Sequence, residues 1–565
     1  MGAETATPVR RTPTTVHPAA DAERHRAAGH WGEETVGAHV RRAAAARPDA
    51  PALVTAAARL TWARYDAAAD RLAGQLVAAG LPRGAHLAVL LPDGPTAHVA
   101  YLAAERAGLV VIGVAARSGE REVLHLLRLA EADALLTHAE PRGLPLQPLL
   151  ARLRAEGLPR LRSLVVPDLA ADPDGAVTID GAPAPADAPS AVPADRQLHP
   201  DELFLLNSTS GTTGLPKCVV HNQQPWLLAG RLAIANGELT GDDVILCAVP
   251  TPYGFGLWSG HVAPALLGAP TVLLERFDVE TMLTLIERER VTMLAAVTTQ
   301  LAMVLAAAQD GARDLSSLRV VFTGGEAVPP ERAAAFERLS GAKVLQFYGA
   351  NETGIVSGTT VLDDDRQRLR TAGRLAPGVE LRLGDPAAGE PAAVRGPGLS
   401  GGYWRDPQAN AALRDGDGWM RTGDLLALDA DGCLEVVGRA SDIVIRGGKN
   451  ISAPAVEAEV ASDPRIAQAA VVAMPDPTFG ERVCCYVAPA PGTAAAELTL
   501  ASVVARLLER GLTREWLPEH LVVLDALPMS AGGKVAKGEL REDIRRRLAA
   551  GERPGTGRAG GGGAT

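Results

Sequence analysis

Between about residues 31 and 347, short apolar runs of strand length alternate with stretches of helical length. Residues 86–91 are followed by 95–106, 244–249 by 257–267, and 320–323 by 330–339. Such alternation leaves one broad solution, an α/β unit of sheets whose faces are covered by helices. The chain has 565 residues, and a single core rarely extends past roughly 250–300 residues, so further units are required. From 373 to 437 the pattern changes to short strands with Gly and Pro turns, which predicts a small β subdomain. Residues 440–547 predict a separate α+β unit: a strand at 443–445, a helix at 455–462, strands at 467–473 and 483–487, a helix at 501–510 and a last helix after Lys534. A Pro/Ala/Asp-rich stretch, 167–200, is an internal linker or a surface excursion. Residues 1–28 and the Gly-rich 551–565 read as disordered.

Composition excludes several classes. Hydrophobic residues make up 47% and charged residues 22%, a globular balance. The net charge of −10 argues against a dedicated nucleic-acid binder. Five cysteines in this length form no disulfide framework and fit a reducing compartment. The most apolar stretch, 292–308, is interrupted by Thr298, Thr299 and Gln300, and reads as strand then helix, so no membrane partner is expected. The N-terminal residues hold no apolar signal region, and Ala6 stands where a myristoylation motif needs Ser or Thr, which leaves the cytoplasm as the expected location. Lysine occurs only five times, at 217, 343, 449, 534 and 537, against 51 arginines. In that background a lysine can mark a place that needs a compact ammonium rather than a planar guanidinium.

The apolar run 203–206 leads into Ser208-Thr209-Ser210-Gly211-Thr212-Thr213-Gly214-Leu215-Pro216-Lys217. Five hydroxyls, two glycines and a lysine in ten residues suit an anion: glycines turn backbone N–H groups inward, hydroxyls add donors and the ammonium adds charge. No Gly-Lys-Ser/Thr follows at the Walker spacing. Residues 396–401 match G-x-G-x-x-G literally, but no strand–helix unit carries them, and Gly402-Tyr403-Trp404 reads as a turn. Cys484 and Cys485 lie in an apolar strand with no zinc-ligand spacing.

The 208–217 segment resembles the phosphate loop of the adenylate-forming superfamily, which includes acyl- and aryl-CoA ligases, carrier-loading adenylation domains and firefly-type luciferases. Further motifs in family order extend the resemblance over about residues 31–545. Thr323-Gly324-Gly325-Glu326 is similar to the loop that lines the adenine and acyl pockets. Phe347-Tyr348-Gly349-Ala350-Asn351-Glu352-Thr353-Gly354 is similar to the segment whose tyrosine faces a purine and whose glutamate, here Glu352, holds Mg²⁺; Asn351 departs from the usual threonine, and its longer arm bears on the α-phosphate contact. Trp419-Met420-Arg421-Thr422-Gly423-Asp424 resembles the ribose motif, with Asp424 accepting from vicinal hydroxyls and Arg439 also reaching the ribose. The resemblance marks Ser441 as the interdomain hinge, where Asp or Lys is more usual. Gly447, Gly448 and Lys449 resemble the loop lining the pantetheine tunnel, and Lys534 the C-terminal lysine that bridges carboxylate and α-phosphate. Lys537, one turn on, is expected to face solvent.

The resemblance thus implies an N-terminal adenylation domain over 29–438, a hinge at 439–442, a mobile C-terminal domain over 443–547 and a tail from 548. ATP and Mg²⁺ are the implied cofactors, with Lys217, Glu352 and Lys534 catalytic and Thr209–Gly214, Gly324, Gly325, Glu326, Tyr348, Gly349, Asn351, Asp424 and Arg439 around the nucleotide. On the acid side Tyr253 replaces the usual histidine, and Gly254 falls near the place where amino-acid-activating relatives carry an aspartate. With Trp226, Phe255, Gly256, Val297, Gly324 and Ala350 this implies an apolar, partly aromatic pocket for an aromatic or cyclic carboxylic acid. Gln223, where relatives often have histidine, is taken as a further sign of a specialised pocket. The leading function is AMP-forming ligation of that acid to CoA. A second passes the acyl group to a carrier-protein thiol, an amine or another small nucleophile. A third, a non-catalytic nucleotide sensor, sits poorly with joint retention of Lys534, Glu352 and Asp424.

Overall fold

The computed structural model describes residues 14–551 apart from 209–215, 309–312, 326–327, 387, 447–448, 511, 513–515 and 531–533. Two large sheets dominate. One has nine strands, of which Pro51–Val54, Thr271–Leu273, Ile245–Cys247, Met293–Ala295, Val320–Gly324 and Lys343–Ala350 run parallel in that spatial order. The other has eight, with Leu205–Ser208, Val110–Val114, His86–Leu90, Ala134–Thr137 and Arg162–Val165 parallel.

The strand period of two decides how these sheets stack. Leu87 and Val89 from one sheet, and Ile245 and Cys247 from the other, belong to a single core. Their neighbours Ala88 and Leu90, and Leu246, face separate outer cores. Helices Trp62–Ala78, Pro95–Arg106 and Gln224–Gly237 therefore lie between the sheets. Helices Val279–Glu289, Thr298–Ala307 and Pro330–Ser340 cover one outer face, and Glu120–Leu129 and Leu146–Ala155 the other. Strands buried on both faces read as continuous apolar runs, which is why the sequence announces them. Helix Pro95–Arg106 is buried along its whole length. Its Arg106, 1% exposed, pairs with Asp66 and Asp70.

The stretch 167–200 is not a linker between units. Thr178–Ile179 and Ala182–Pro183 extend the edge of the eight-stranded sheet, and Val177, Ile179, Val192 and Leu198 are buried in the central core. Residues 14–28 are also ordered, against the expectation of disorder: helix Ala19–Ala27 follows a bridge between Thr15 and Glu202, and Arg26 pairs with Asp201. A three-stranded and a two-stranded sheet, within 380–439, form the predicted β subdomain.

The C-terminal unit is one five-stranded sheet. Lys449–Ser452, Ile443–Arg446, Gly480–Pro489 and Ile466–Asp476 pair antiparallel, and His520–Val523 adds in parallel to Gly480–Pro489. Helices Ala453–Ala461 and Leu500–Glu509 pack on one face and Lys537–Ala549 on the other, each over its own apolar cluster. The five cysteines are buried and form no disulfide among the described residues. No helix among the described residues is long and apolar enough to cross a membrane.

Candidate active site

The parallel strands Val320–Gly324 and Lys343–Ala350 run side by side, with Gly324 opposite Phe347. Loops leaving such strand ends are where α/β sheets bind ligands. Gly325 follows with φ of +82°, a conformation that favours glycine. Lys534 of the C-terminal unit lies over it: a Cβ at Gly325 would stand 3.2 Å from Lys534 Nζ and 3.3 Å from its Cε. The lysine loop is closed on itself, since Ser530 N–H donates to Lys534 O at 2.7 Å and Lys534 N–H to Ser530 Oγ at 3.3 Å. Sequence-distant Gly325 and Lys534 thus meet across the two units. Glu326 lies outside the described residues.

Asp424, 6% exposed, begins strand Asp424–Leu428 and pairs in register with Arg439 on Leu434–Arg439. Arg439 Nε donates to its Oδ1 at 2.9 Å and the Tyr348 hydroxyl to its Oδ2 at 2.6 Å. Burial works against the Arg439 charge, yet the Asp424 and Asp442 carboxylates hold its pKa above the ordinary value. Burial and then Asp424 push the Tyr348 hydroxyl up. A carboxylate has about four lone-pair positions, so Asp424 can accept from two hydroxyls besides these partners.

The strands on either side of the 209–217 segment, Leu205–Ser208 and Cys218–His221, pair antiparallel, with Ser208 opposite Cys218. Thr209, Ser210, Gly211, Thr212, Thr213 and Gly214 lie outside the described residues. Lys217, just beyond them, places Nζ 4.6 Å from the ring centre of Tyr403. The Tyr403 hydroxyl in turn donates to Glu352 Oε1 at 2.8 Å. Among the described residues no three or more His, Cys, Asp or Glu side chains group as metal ligands. The Glu352 carboxylate is an oxygen ligand of the kind that suits a hard cation such as Mg²⁺.

On the acid side, Tyr253 caps a helical stretch that runs to Leu267 and contains a π-helical segment, Leu257–Val262. The helix expected from 257 thus starts earlier, at Gly254, and π turns often accompany functional sites. Burial first, and the Glu122 carboxylate second, push the Tyr253 hydroxyl up. Phe255 stacks on Trp258 at 5.3 Å. A Cβ on Gly254 would come within 2.5 Å of Asn351 Oδ1 and 2.9 Å of Trp226. Asn351 Oδ1 also accepts from Asn207 Nδ2 at 3.3 Å. In this structure the Asn351 amide oxygen is therefore turned toward Gly254 and Asn207. Val297, half-buried, begins helix Thr298–Ala307, Ala350 ends its strand with an N–H donated to Thr353 Oγ1 at 3.0 Å, and Gly256 is buried beside Phe255.

Several placements differ from expectation. Gln223 is fully buried, and its Oε1 accepts from Val36 N–H at 2.8 Å. It fastens helix Val36–Ala46 and is no sign of a specialised pocket. Lys537 does not face solvent: Nζ lies 3.0 Å from Asp442 Oδ2 and 2.7 Å from Glu457 Oε1, with the side chain 16% exposed. Ser441 lies in the 3₁₀ turn Ala440–Asp442 between two strands, and Lys449 opens strand Lys449–Ser452; Gly447 and Gly448 lie outside the described residues.

Sequence reasoning gave Tyr403 no role beyond a turn. It also gave no role to the buried chain Asp93–Thr251–His98–His261, which pins the strand end before Tyr253. Thr251 Oγ1 donates to Asp93 and lies 3.1 Å from His98 Nε2, and His98 Nδ1 is 3.2 Å from His261 Nδ1. Burial and then His98 push His261 well below its ordinary range.

Residues 40–404 match the model of the AMP-binding enzyme family, and 455–534 that of the AMP-binding enzyme C-terminal domain. The chain is 34% identical over 542 residues to a medium-chain fatty-acid–CoA ligase of Escherichia coli strain K12, covering 93% of each. It is 34% identical over 541 residues to a salicylyl-CoA synthase / salicylate adenylyltransferase of Streptomyces sp, covering 93% of this chain and 96% of that one. Its fold is similar to the crystal structure of the anthranilate CoA ligase AuaEII in complex with anthranoyl-AMP, with a TM-score of 0.81, 23% identity, and 93% and 100% of the two chains covered.

Proposed function

The chain belongs to the AMP-binding, adenylate-forming enzyme family, and from that membership we propose that it activates an aromatic or cyclic carboxylic acid with ATP and transfers the acyl group to the thiol of CoA. The observation that carries this reading is Lys534 lying on Gly325, at the end of the strand beside the one that carries Tyr348, whose hydroxyl donates to Asp424. Asp424 and Arg439 take the ribose, the Tyr348 ring faces the purine, and Lys217 with the 208–217 loop takes the phosphates.

A carboxylate oxygen of the acid bonds to the α-phosphorus as the bond to pyrophosphate breaks. The protein mainly positions two anions and neutralises charge at the moment it develops. Glu352 is the residue that would hold Mg²⁺, which when bound would supply part of that neutralisation. Lys534 supplies the remainder from a loop that can withdraw.

In the second half the small unit turns about Ser441, Lys534 leaves, and the 447–449 loop admits the pantetheine arm. The thiol sulfur, losing its proton, then bonds to the acyl carbon and AMP departs. Hinge rotation of this kind lets one cleft serve two reactions. A second reading, transfer to a carrier-protein thiol, an amine or another small nucleophile, is kept open by the Asn351, Tyr253 and Ser441 departures. The likeness to the salicylate enzyme supports an aromatic acid.

The test is purified protein with ATP, Mg²⁺ and a panel of carboxylic acids, with pyrophosphate followed with and without CoA and products weighed by mass spectrometry. AMP, pyrophosphate and an acyl-CoA are expected. ADP with phosphate would overturn the reading, and acyl transfer only to other nucleophiles would select the second one.

A further inference from the structure

We propose that Tyr403 is a positioning residue that couples Glu352 to Lys217, so that ATP and its cation bind as one unit. The inference rests on the roles given above to those two residues. One face of the Tyr403 ring carries the Lys217 ammonium, 4.6 Å from its centre, while the hydroxyl donates to Glu352 Oε1 at 2.8 Å. The cation for the phosphates and the carboxylate for the metal are thus held by a single rigid side chain.

The surrounding backbone is built to hold that ring. Gly401 N–H donates to Val220 O, Val220 N–H to Gly402 O, and Trp404 N–H to Cys218 O, each at 2.8 Å. These bonds strap 401–404 to the strand that starts immediately after Lys217. On the other side, Ser400 N–H donates to Glu352 O at 2.8 Å. The Asn410 side chain clamps Tyr403 itself: Tyr403 N–H donates to Asn410 Oδ1 at 2.7 Å, and Asn410 Nδ2 donates to Tyr403 O at 2.8 Å. Gly402 has φ of +92°, and a Cβ there would run into Asn410 Oδ1, so the clamp needs glycine at this position.

The arrangement has a consequence for binding. A carboxylate beside a triphosphate repels it unless a cation lies between them. By donating to Oε1, Tyr403 orients Glu352 and leaves Oε2 outside that bond for such a cation. The π-face attraction for the ammonium is far weaker than a phosphate offers, so this contact lets Lys217 turn to the phosphates while the cation settles on Glu352.

Calorimetric titration of ATP into the full chain, in Mg²⁺ and in EDTA, tests this without turnover. Tyr403→Phe keeps the ring under Lys217 and removes the donor. Its ATP affinity in EDTA should stay within about twofold of wild type, while the affinity gained from Mg²⁺ falls about tenfold, the effect of one lost hydrogen bond to a charged group. Tyr403→Leu should also weaken ATP in EDTA, by about two- to fivefold, through loss of the cation–π contact. Asn410→Ala should shift both quantities in the same direction by less. A Phe variant with the wild-type Mg²⁺ gain, or with equal losses in Mg²⁺ and EDTA, overturns the coupling while leaving the functional reading intact. Wild-type protein that binds no ATP overturns the functional reading and the coupling together. The Phe comparison stands even where the Leu variant fails to fold, which thermal unfolding reveals.

Discussion

Lys534 ends the 528–534 loop and reaches across to the large unit, where it lies over Gly325. Lys537, three residues on, opens helix Lys537–Ala549 and turns back into its own unit. There it bridges Asp442, which follows Ser441, and Glu457 of helix Ala453–Ala461, while Arg541 Nη2 reaches the other Asp442 oxygen at 2.5 Å. The scarcity of lysine marks both positions equally. Their surroundings separate them: one ammonium meets the neighbouring unit at Gly325, the other is fixed between two carboxylates beside the turn where the units join. The proposed mechanism needs the first to withdraw and the second to stay.

The contrast is sharpest in Lys534→Ala. Adenylation, read as pyrophosphate exchange, should fall about 10²–10³-fold, as for loss of a donor aimed at a transition state. Hydrolytic or thiol cleavage of a supplied acyl adenylate and the unfolding midpoint should stay near wild type. Lys534→Arg should rescue only in part, because a planar fork does not place one compact charge between two anions. Near-normal exchange in the Ala variant would dissolve the distinction at its stronger end.

Asp424→Ala should strike ATP binding rather than the chemical step. Loss of a charged hydrogen-bond acceptor costs about 1.5–3 kcal/mol, or roughly 10- to 150-fold in ATP requirement. The acid requirement should change less. An unchanged ATP requirement in folded protein would remove Asp424 from the ribose site and leave Lys534 without a nucleotide positioned beneath it.

Lys537→Ala should act on stability first. It leaves Glu457 buried with its main counter-charge gone. The expected loss is about 2–3 kcal/mol, below the roughly 3–5 of a fully buried pair because Lys537 keeps 16% exposure. The pH dependence has a definite sign. Burial is the largest influence on Glu457 and holds its pKa above the ordinary range even with Lys537 present. Its folded form therefore favours the proton, and its cost at neutral pH is relieved as pH falls through the folded value. Asp442 behaves oppositely: burial raises it, but Lys537 and Arg541 prevail and hold it low, so its stabilisation is lost on acidification. Urea unfolding of the variant should show a deficit that narrows between neutral and mildly acidic pH, since Glu457 then takes a proton. A deficit that does not change with pH would exclude Glu457 as its source.

Much of this architecture is legible in the sequence for one physical reason. Strands buried on both faces are uninterrupted apolar runs, and helix Pro95–Arg106 is bounded by Gly94 and a proline at its first position. The stretch 167–200 is not legible in that way. Its few apolar residues, Val177, Ile179, Val192 and Leu198, are scattered among prolines, and only tertiary packing into the central cluster makes them core. At the site, strand ends carrying Gly, Tyr and Glu together announce themselves. The destination of Tyr403 does not, because a Gly-Tyr-Trp turn leaves open where its ring points. Gln223 and Lys537 were misread for the same cause: a polar residue in a motif is taken as facing ligand or water until tertiary contacts supply its partner.

The smallest expected effect separates the two lysines most cleanly. Lys537→Met with Glu457→Gln removes both charges of one pair while keeping the apolar stem and the amide carbonyl. That carbonyl can still accept from Val471 N–H, which now donates to Glu457 Oε1 at 2.6 Å. Asp442 keeps Arg541 as its partner. Neutral, shape-conserving replacement of a buried ion pair is often nearly neutral for stability, so the double variant should unfold within about 1 kcal/mol of wild type while Lys537→Met alone resembles the Ala variant. Its pyrophosphate exchange should be restored along with its stability, because Lys537 is placed to act only through the fold. If stability returned and exchange stayed low, Lys537 would share the charge work of Lys534, and the contrast between loop and helix would give way to a two-lysine site.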